Sequence, residues 1–441
     1  MTPGARAAAA IAILDRHGAT GAPADLVAGG HFRNNRYIGA KDRAAIAAMV
    51  YGVLRVRAQL DWWIEREGRL DPDPRRRVMT WLALCEGWTA DKIAHAFDGD
   101  RFRPAPLDEA EARFAGRLKT RTLEHPLQPP AVQLNMPDWI MPALEESLGP
   151  AAARELAALG APAALDLRVN VLKADRTAAL AALAGAGITG APTRWSPWGI
   201  RVEGRPPLSA TAVFRDGLVE VQDEGSQLAA ALADVAPGQR VCDFCAGAGG
   251  KTLALAAVMG NKGHVDACDT EPKRIAGATK RLRRAGVFNV TLHTLKSERD
   301  PWVKHHAGRY DRVLIDAPCT GTGTWRRNPD ARWTLTADDV TELVALQRRI
   351  LDSASRLVRP GGRMIYVTCS LLADENERQV EGFLAANDGF TVVPADAVWA
   401  ATVGGAAAPG VSRYARLSPA SAGTDGFFVA ILERAPAAGT A

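Results

Sequence analysis

The segment that decides the fold reads Val241-Cys-Asp-Phe-Cys-Ala-Gly-Ala-Gly-Gly-Lys-Thr252. It joins a strand predicted at Arg240–Phe244 to a helix predicted at Thr252–Met259. Glycines let the backbone turn tightly, so main-chain N–H groups and a helix N-terminus come close to a ligand. The segment therefore predicts a strand–loop–helix unit built around the polar part of a small molecule.

Strands and helices alternate from about Leu218 onward. The further strands predicted are Gly263–Cys268, Asn289–Leu292, Tyr310–Ile315 and Arg363–Thr368, and the further helices are Pro272–Ala285 and Thr336–Leu357. Alternation of this kind is typical of a parallel sheet with helices on both faces. We therefore expect residues 218–441 to form one Rossmann-like α/β domain.

Two regions of different character precede this domain. Residues 1–140 show apolar residues at helical spacing, as in Ala44–Leu60, and predict an all-helical N-terminal domain. Prolines crowd the stretch 121–142, which predicts a connection between domains. Residues 141–217 carry short strand and helix signals, including a strand at Leu165–Val171, and predict a small α+β module.

The composition of the chain indicates its possible partners and its cellular compartment. A net charge of +5 and a pI of about 8.9 fit a nucleic-acid partner without requiring one. The apolar run Ala7–Leu14 is too short to span a membrane and lacks the cleavage site of a signal peptide. Five of the six cysteines lie at or near predicted strand ends, unlike the disulfide framework of a small secreted domain. We expect a cytoplasmic protein with no membrane partner.

Three nucleotide ligands compete for the glycine loop. Gly250-Lys251-Thr252 matches the end of the ATP-binding loop, but Cys245 stands where that loop needs its first glycine. The dinucleotide fingerprint fits Gly247 and Gly249 and lacks its third glycine. S-adenosylmethionine needs an acidic side chain at the end of the second strand for its ribose hydroxyls, and Asp269 stands there. We favour S-adenosylmethionine, with a ligand-free strand–helix turn as the alternative.

Two cysteines follow two neighbouring strands. Asp316-Ala-Pro-Cys319 comes after the fourth predicted strand, and Cys369 comes after the fifth. Ligands of open α/β sheets bind at the carboxyl ends of the strands. If these two strands are adjacent, both thiols and the carboxylate of Asp316 lie beside the cofactor. The alternative for each cysteine is a small buried apolar residue.

Two thiols and a carboxylate suffice for methylation of cytosine at carbon 5. That carbon is a poor nucleophile until a thiolate adds to carbon 6 and turns the ring into an enamine. A carboxyl near the ring nitrogen can share a proton, and a base must afterwards remove the hydrogen from carbon 5. The attacking thiol needs a lowered pKa, which Lys251 or a helix N-terminus is expected to provide.

The chain resembles the Nop/Sun family of RNA cytosine-C5 methyltransferases. The motifs that carry the resemblance are Cys245–Lys251, Asp316-Ala-Pro-Cys319 and Thr368-Cys369-Ser370, supported by Val221–Ser226 and Thr424–Phe428. The motifs occur in the family's order, and the resemblance runs from about residue 160 to the end. It implies a methyltransferase of Rossmann-like fold that acts on RNA with S-adenosylmethionine.

The resemblance also implies roles for residues. Cys369 would be the nucleophile, Cys319 would assist product release, and Asp316 would face both the cytosine and the methyl donor. The residues implied in cofactor binding are Cys245, Ala246, Gly247, Ala248, Gly249, Gly250, Lys251, Asp269, Arg274 and Asp316. Three departures stand out: Ala248 replaces the usual Pro, Thr320 replaces a common Ser, and Thr294–Glu298 lacks the Asp that contacts the adenine in the family.

The N-terminal helices suggest the substrate. Arg36–Arg43 and Tyr51–Arg55 resemble the NusB-like RNA-binding domain of the bacterial Sun-type 16S ribosomal RNA enzyme. Ribosomal RNA is therefore the favoured partner, tRNA is the second choice, and a monomer is expected. The basic helix 272–285 is expected either to contact RNA or to present a solvated face. For Arg326-Arg327, which lie near Trp325 and Trp333, we expect contact with RNA.

Other functions fit less well. Cys242 and Cys245 have C-x-x-C spacing without the second pair that a zinc site needs, so no metal site is predicted. Asp316 is not followed by the Pro-Pro-aromatic motif of amino-group methyltransferases. A non-catalytic RNA-binding assembly factor that retains the fold stays open as an alternative.

Overall fold

The computed structural model describes residues 1–437, which form two compact units. The helical unit comprises Met1–Pro142 and Arg327–Leu335, and the sheet unit comprises Ala143–Arg326 and the residues from Thr336 onward. Within the described residues, none of the helices has the length and apolar character needed to cross a membrane.

The helical unit is built from short amphipathic helices around one apolar core. The core contains large side chains such as Trp63 and Phe114, both almost fully buried. Asp108 and Glu111 form a capping box that satisfies the first backbone N–H groups of one helix. The helices are Pro3–Thr20, Ala24–Asn34, Ala40–Arg55, Arg57–Trp63, Pro74–Leu84, Ala90–Ala96, Glu109–Arg117, Pro130–Leu134 and Ala331–Thr334.

The proline-rich stretch 121–142 is part of this unit, so the prediction of a connecting segment is wrong. Its Asn135 is buried, donates a hydrogen bond of 2.7 Å to Gln59 Oε1, and accepts one from Arg332 through its main-chain oxygen. Prolines here begin helices and turns, and buried amides then fix the segment to the core.

A small antiparallel sheet opens the sheet unit. It consists of β1 (Leu165–Val169), β2 (Gly190–Pro192), β3 (Gly199–Val202) and β4 (Val219–Val221), in the order β2-β3-β1-β4. Its helices Ala152–Gly160 and Arg176–Gly185 complete the α+β region expected from the sequence. Leu167, Val169, Ile200 and Val219 form its core.

The large sheet has the predicted parallel centre. Its strands are β5 (Arg240–Asp243), β6 (His264–Asp269), β7 (Val290–Thr294), β8 (Tyr310–Asp316), β9 (Val358–Thr368), β10 (Phe390–Val393), β11 (Ala415–Leu417) and β12 (Phe427–Arg434). The order is β10-β12-β9-β8-β5-β6-β7, with β11 paired to β12. β5 to β9 are parallel, and β10 to β12 are antiparallel. The Rossmann-like fold is thus confirmed.

Helices cover both faces of the large sheet. Successive residues of a strand point to opposite faces, so Val241 and Val265 belong to one core while Cys242 and Val313 belong to the other. The further helices are Met141–Leu148, Ala212–Arg215, Glu224–Ala231, Gly250–Val258, Pro272–Ala285, Pro301–His305, Ala337–Ser355, Glu377–Ala386, Ala395–Thr402 and Pro419–Ala422.

Two glycines let the segment after β8 approach the start of β12. Gly323 N donates to Cys369 O at 2.9 Å, and Gly426 N donates to Gly323 O at 2.8 Å. A Cβ atom at Gly426 would lie 2.6 Å from Gly323 Cα and 2.8 Å from a methyl of Leu371. These contacts leave no room for a side chain at either glycine, and they hold the turn after β8 against the end of β9.

We expect Gly426→Ala to lower the free energy of unfolding by about 1–3 kcal/mol, because the new methyl group overpacks a backbone contact. Gly382→Ala is the control, since a Cβ atom there meets nothing within 4 Å and the position lies inside a helix. It should raise the free energy of unfolding by about 0.5–1 kcal/mol. Chemical denaturation of both variants measures this, and equal stabilities would contradict the close approach.

Candidate active site

The glycine loop after β5 is held in one conformation by its own backbone. Gly247 and Gly249 have φ values of +55° and +77°, a region that side chains rarely adopt. Ala246 N donates to Cys268 O at 2.9 Å, which ties the loop to the end of β6. A Cβ atom at Gly249 would lie 3.1 Å from the methyl of Ala278, so the loop also packs tightly against the next helix.

Asp269 closes the same corner of the site from the end of β6. Its Oδ2 accepts a hydrogen bond from Gly247 N and its Oδ1 accepts one from Glu271 N, both at 2.8 Å. A carboxylate offers about four acceptor positions, so two remain for hydroxyl donors of a ligand. Asp269 therefore orients the glycine loop and keeps the capacity that a ribose requires.

Two arginines support the loop from behind. Arg168 of β1 is buried and donates to Gly250 O at 2.8 Å, and Arg281 donates to Ala248 O at 2.8 Å. Glu220 of β4 accepts from Arg281 and from Arg284. The small antiparallel sheet thus contributes directly to the shape of the loop.

The basic helix Pro272–Ala285 consequently has two faces. Arg281 and Arg284 are ion-paired with Glu220 and only partly exposed, which holds them against the small sheet, and their contact with RNA stays a prediction. The basic residues that remain exposed are Lys273, Arg274, Lys280 and Arg283. This outer face is the part of the helix most open to a polyanion.

A cavity of about 540 Å³ extends from the glycine loop to both cysteines. The predicted site residues on its wall are Cys245, Gly247, Asp269, Arg274, Asp316, Cys319 and Cys369. Those absent from its wall are Ala246, Ala248, Gly249, Gly250 and Lys251, which shape the loop from behind. Leu295, Lys296, Ser297 and Glu298 also line it, so the segment that departs from the family motif still borders the site.

The parallel pairing of β8 and β9 brings the two cysteines together. Asp316 is opposite Val367 in the register, and each cysteine lies in the turn that follows its strand. Their sulfur atoms are 3.4 Å apart. The hydrogen bond with Cys369, burial and the negative charge of Glu375 raise the pKa of Cys319 well above that of an ordinary thiol. Cys319 is therefore a thiol at neutral pH.

Lys251 does not face the thiols as an unpaired cation. Its Nζ lies 2.6 Å from Asp316 Oδ2, and its side chain is buried against the ring of Phe427. The expectation that Lys251 lowers the pKa of a thiol finds no support, because its charge is balanced by Asp316. Lys251 instead fixes the position of the carboxylate beside Cys319.

Sequence reasoning missed the buried residues that hold the Cys319 turn. Glu375 accepts from Thr320 N at 2.9 Å, from Thr320 Oγ1 at 2.5 Å and from Gln347 at 2.8 Å. Gln347 also donates to Pro318 O at 2.9 Å. Ser370, next to Cys369, has its hydroxyl within 3.2 Å of Thr320 Oγ1. An acidic residue shortly after a Thr-Cys-Ser motif was the available signal.

The prediction that Arg326 contacts RNA is wrong. Its guanidinium is buried and paired with Asp425 and Asp223, and the neighbouring Trp325 is fully buried. Trp333 packs in the helical unit, where its indole nitrogen donates to Leu54 O at 2.7 Å. These side chains are structural supports.

The cavity fits S-adenosylmethionine. Its volume is in the range of small-molecule sites, and it lies at the carboxyl ends of β5, β6 and β8, where open α/β sheets bind ligands. Asp269 and the exposed Glu271 and Arg274 provide polar groups at one end, and the thiols lie at the other. Nucleotide and reacting groups can therefore share one cavity.

Comparison with known proteins agrees with this geometry. The family model of the 16S rRNA methyltransferase RsmB/F matches residues 230–433, and the ferredoxin-like domain model of RsmF/B-like methyltransferases matches residues 136–209. The ribosomal RNA small subunit methyltransferase B of Pectobacterium atrosepticum is 30% identical over 410 residues, which cover 90% of this chain and 92% of that protein.

Two further similarities extend along most of the chain. The probable ribosomal RNA small subunit methyltransferase B of Synechocystis sp. is 29% identical over 420 residues, 89% of this chain and 92% of that protein. The crystal structure of PH0851 superposes with a TM-score of 0.78 at 25% identity and covers 98% of this chain and 100% of its own.

Asp243, beneath the glycine loop, is a buried carboxyl with an incomplete set of partners. Thr252 Oγ1 donates to its Oδ2 at 2.6 Å, whereas Oδ1 has no hydrogen-bond partner among the described residues. Burial raises the pKa of Asp243 from 3.8 to about 7. The folded protein therefore keeps a proton on Asp243 that the unfolded chain releases at lower pH.

This proton predicts a pH dependence of stability. Between about pH 4 and about pH 7 the folded state binds the extra proton, so the free energy of unfolding falls as pH rises through that range. Asp243→Asn stays neutral and lacks this slope, and its stability relative to wild type should rise by at most about 1.4 kcal/mol per pH unit. Urea denaturation without cofactor measures this. The exposed Asp388→Asn should keep the wild-type slope, and a parallel slope for Asp243→Asn would contradict the buried proton.

Proposed function

Because the chain belongs to the RsmB/F family of 16S rRNA methyltransferases, we propose that it methylates carbon 5 of a cytosine in 16S ribosomal RNA. It is an RNA methyltransferase that uses S-adenosylmethionine. The observation that carries the choice of carbon 5 is the pair of sulfur atoms 3.4 Å apart at one end of the cofactor cavity. One thiol suffices to activate the ring, and the second supplies the base that restores aromaticity.

Cys369 is the proposed nucleophile. Its thiolate adds to carbon 6 of the cytosine, which places electron density on carbon 5. Asp316 lies on the same cavity wall, where the contact with Lys251 Nζ fixes its carboxylate and leaves the other oxygen for the ring. S-adenosylmethionine supplies the methyl group that carbon 5 receives.

Cys319 is the proposed base for product release. Cys319 reacts as the thiolate, after its proton has passed to solvent. Its sulfur takes the hydrogen of carbon 5 as a proton, the electron pair re-forms the bond between carbons 5 and 6, and Cys369 leaves as a thiolate. The raised pKa of Cys319 makes its thiolate a strong base once formed. Two thiols with different surroundings can thus divide attack and release between them.

The cofactor is proposed to lie along the other end of the cavity. Asp269 would accept the ribose hydroxyls, and Arg274 borders the same end. Of the segment Cys245–Lys251, Cys245 and Gly247 lie on the cavity wall, and we propose that they border the amino-acid moiety next to the N-terminus of the following helix. Leu295 is the apolar residue that borders this end after β7, and we propose that it contacts the adenine.

We propose that the chain is organised as a helical, NusB-like RNA-binding domain (1–140), an α+β module (141–217) and a catalytic domain (218–441). We propose that it works in the cytoplasm, where its ribosomal RNA substrate would be met. We also propose a monomer, because the sheet unit contains every proposed catalytic residue. A tRNA substrate is the alternative, and the substrate comparison below distinguishes the two.

An exposed aromatic pair supports RNA binding by the helical unit. Tyr37 and Phe102 are 67% and 61% exposed, and their ring centroids are 6.3 Å apart. Phe102 has a φ of +67°, a strained conformation for a bulky residue that displays its ring to solvent. The guanidinium of Arg101 lies over the Phe102 ring at 4.9 Å, and Arg36 is exposed beside Tyr37. Rings next to arginines suit unpaired nucleotides.

We expect Cys369→Ala to abolish methylation and to form no covalent adduct with a 16S rRNA transcript, with a loss of rate of at least about 10³-fold. Cys319→Ala should accumulate the adduct, because attack proceeds and release fails. Denaturing gels with labelled RNA and S-adenosylmethionine detect the adduct, and bisulfite sequencing maps the methylcytosine.

The exposed Cys85→Ala serves as the control and should behave like wild type. Methylation that survives in Cys369→Ala would overturn the assignment of the nucleophile. Methylation of tRNA transcripts instead of 16S rRNA would favour the alternative substrate. If wild type methylates neither RNA, the non-catalytic assembly factor becomes the better interpretation.

We expect Tyr37→Ala and Phe102→Ala each to weaken binding of a 16S rRNA transcript about tenfold, since stacking on one ring contributes about 1–3 kcal/mol. Leu127→Ala, an equally exposed apolar residue of the same unit, should bind like wild type. Filter binding at fixed salt measures the affinity. Unchanged affinity of both aromatic variants would argue against an RNA contact at this pair.

A further inference from the structure

The turn that carries Cys319 is fixed by a carboxylate outside the proposed set of reacting groups. Glu375 is fully buried and lies in the segment after β9. Its oxygens accept three hydrogen bonds from two elements, namely the backbone and hydroxyl of Thr320 and the amide of Gln347. All three donors are neutral, so the carboxylate carries its charge in the interior without an ion-pair partner among these groups.

Burying an anion among neutral partners costs free energy of folding, so a carboxylate at this position needs an explanation. A glutamine would supply one acceptor oxygen and would bury no charge, so hydrogen bonding alone does not require a carboxylate. The charge of Glu375 acts on the Cys319 thiol, which begins the turn that Thr320 continues. Among the proposed reacting groups, Cys319 is the one on which this charge acts.

We propose that Glu375 is a positioning residue for product release that acts through Cys319, fixing its turn and presenting it with a negative charge. This inference rests on the role of Cys319 proposed above and adds the group that controls it. A nearby anion disfavours the thiolate, so the sulfur holds its proton in the free enzyme. When Cys319 does lose that proton, it is a stronger base toward the hydrogen on carbon 5.

Three other charged or titratable groups lie around Cys319: the Cys369 thiol, the Tyr366 hydroxyl and the ion pair of Asp316 with Lys251. Cys369 faces it from the end of β9 at 3.4 Å, and Tyr366 of the same strand interacts with it electrostatically. The pair formed by Asp316 and Lys251 lies at the end of β8 and is internally balanced. Glu375 is thus the group whose charge can be removed while the reacting groups stay in place.

The test compares Glu375→Gln with Gln347→Ala. The first keeps the size and one acceptor oxygen and removes the charge, because the Thr320 hydroxyl can either donate or accept. The second removes a hydrogen bond to Glu375 and one to Pro318 O and leaves the charge. Both variants loosen the turn that carries Cys319. A difference between them in the behaviour of Cys319 therefore reports the charge of Glu375. Glu375→Asp, which restores the charge, provides the rescue.

Two readouts are needed. Alkylation of Cys319 by iodoacetamide, followed by mass spectrometry across a pH series in a Cys369→Ala background, reports the thiol without RNA. We expect the pH at which alkylation of Cys319 is half-maximal to fall by about one pH unit in Glu375→Gln. The same midpoint should be unchanged in Gln347→Ala and should return toward that of the parent in Glu375→Asp. The decay rate of the covalent adduct with a 16S rRNA transcript is measured across the same pH series in the variants that retain Cys369. The pH midpoint of this rate should move down in Glu375→Gln as well.

The outcomes separate the two proposals. Equal alkylation midpoints in the parent and Glu375→Gln overturn the inference, as does an equal downward shift in Gln347→Ala, which would show a structural effect only. A shifted alkylation midpoint in Glu375→Gln together with full release of methylated RNA from Cys319→Ala, without a trapped adduct, contradicts the proposed role of Cys319 instead. Thermal denaturation of each variant shows that it is folded under the assay conditions.

Discussion

The parallel pairing of β8 with β9 is the constraint on which the site depends. Adjacent strands lie about 4.8 Å apart, and parallel strands end at the same edge of the sheet. The register therefore places the turns after Asp316 and Thr368 side by side, and the sulfurs of Cys319 and Cys369 come within 3.4 Å. A shift of one residue in this register would send the side chains of β9 to the opposite face.

Charges around the cavity are balanced by local partners. Lys251 pairs with Asp316, and Arg326 pairs with Asp425 and Asp223. Buried ions without partners are costly, so these pairs hold the loops at the sheet edge in one arrangement. The consequence for chemistry is that the buried Lys251 does not act on the thiols as an unpaired cation. Their reactivity depends on burial, on each other and on the buried acid that follows β9.

The sequence predicted what depends on local pattern and strand order. Strand ends at Asp269 and Asp316, together with an α/β alternation, were enough to place a carboxylate and two thiols at one edge. The environments of Arg326 and Glu375 could not be predicted from local pattern, because their partners lie 99 and 55 residues away in the sequence. Composition and spacing show that an arginine is basic; they do not show that Asp425 folds back against it.

The small antiparallel sheet is more than an attachment to the catalytic sheet. Arg168, buried in its central strand β1, reaches the carbonyl of Gly250, and Glu220 of β4 holds the arginine that donates to Ala248 O. Backbone oxygens at the start of the helix Gly250–Val258 are thus fixed by residues of, or held by, the small antiparallel sheet. A displacement of the small sheet would also displace the glycine loop, since breaking buried hydrogen bonds in a low-dielectric interior costs much free energy. The two sheets therefore act as one structure where the loop is concerned.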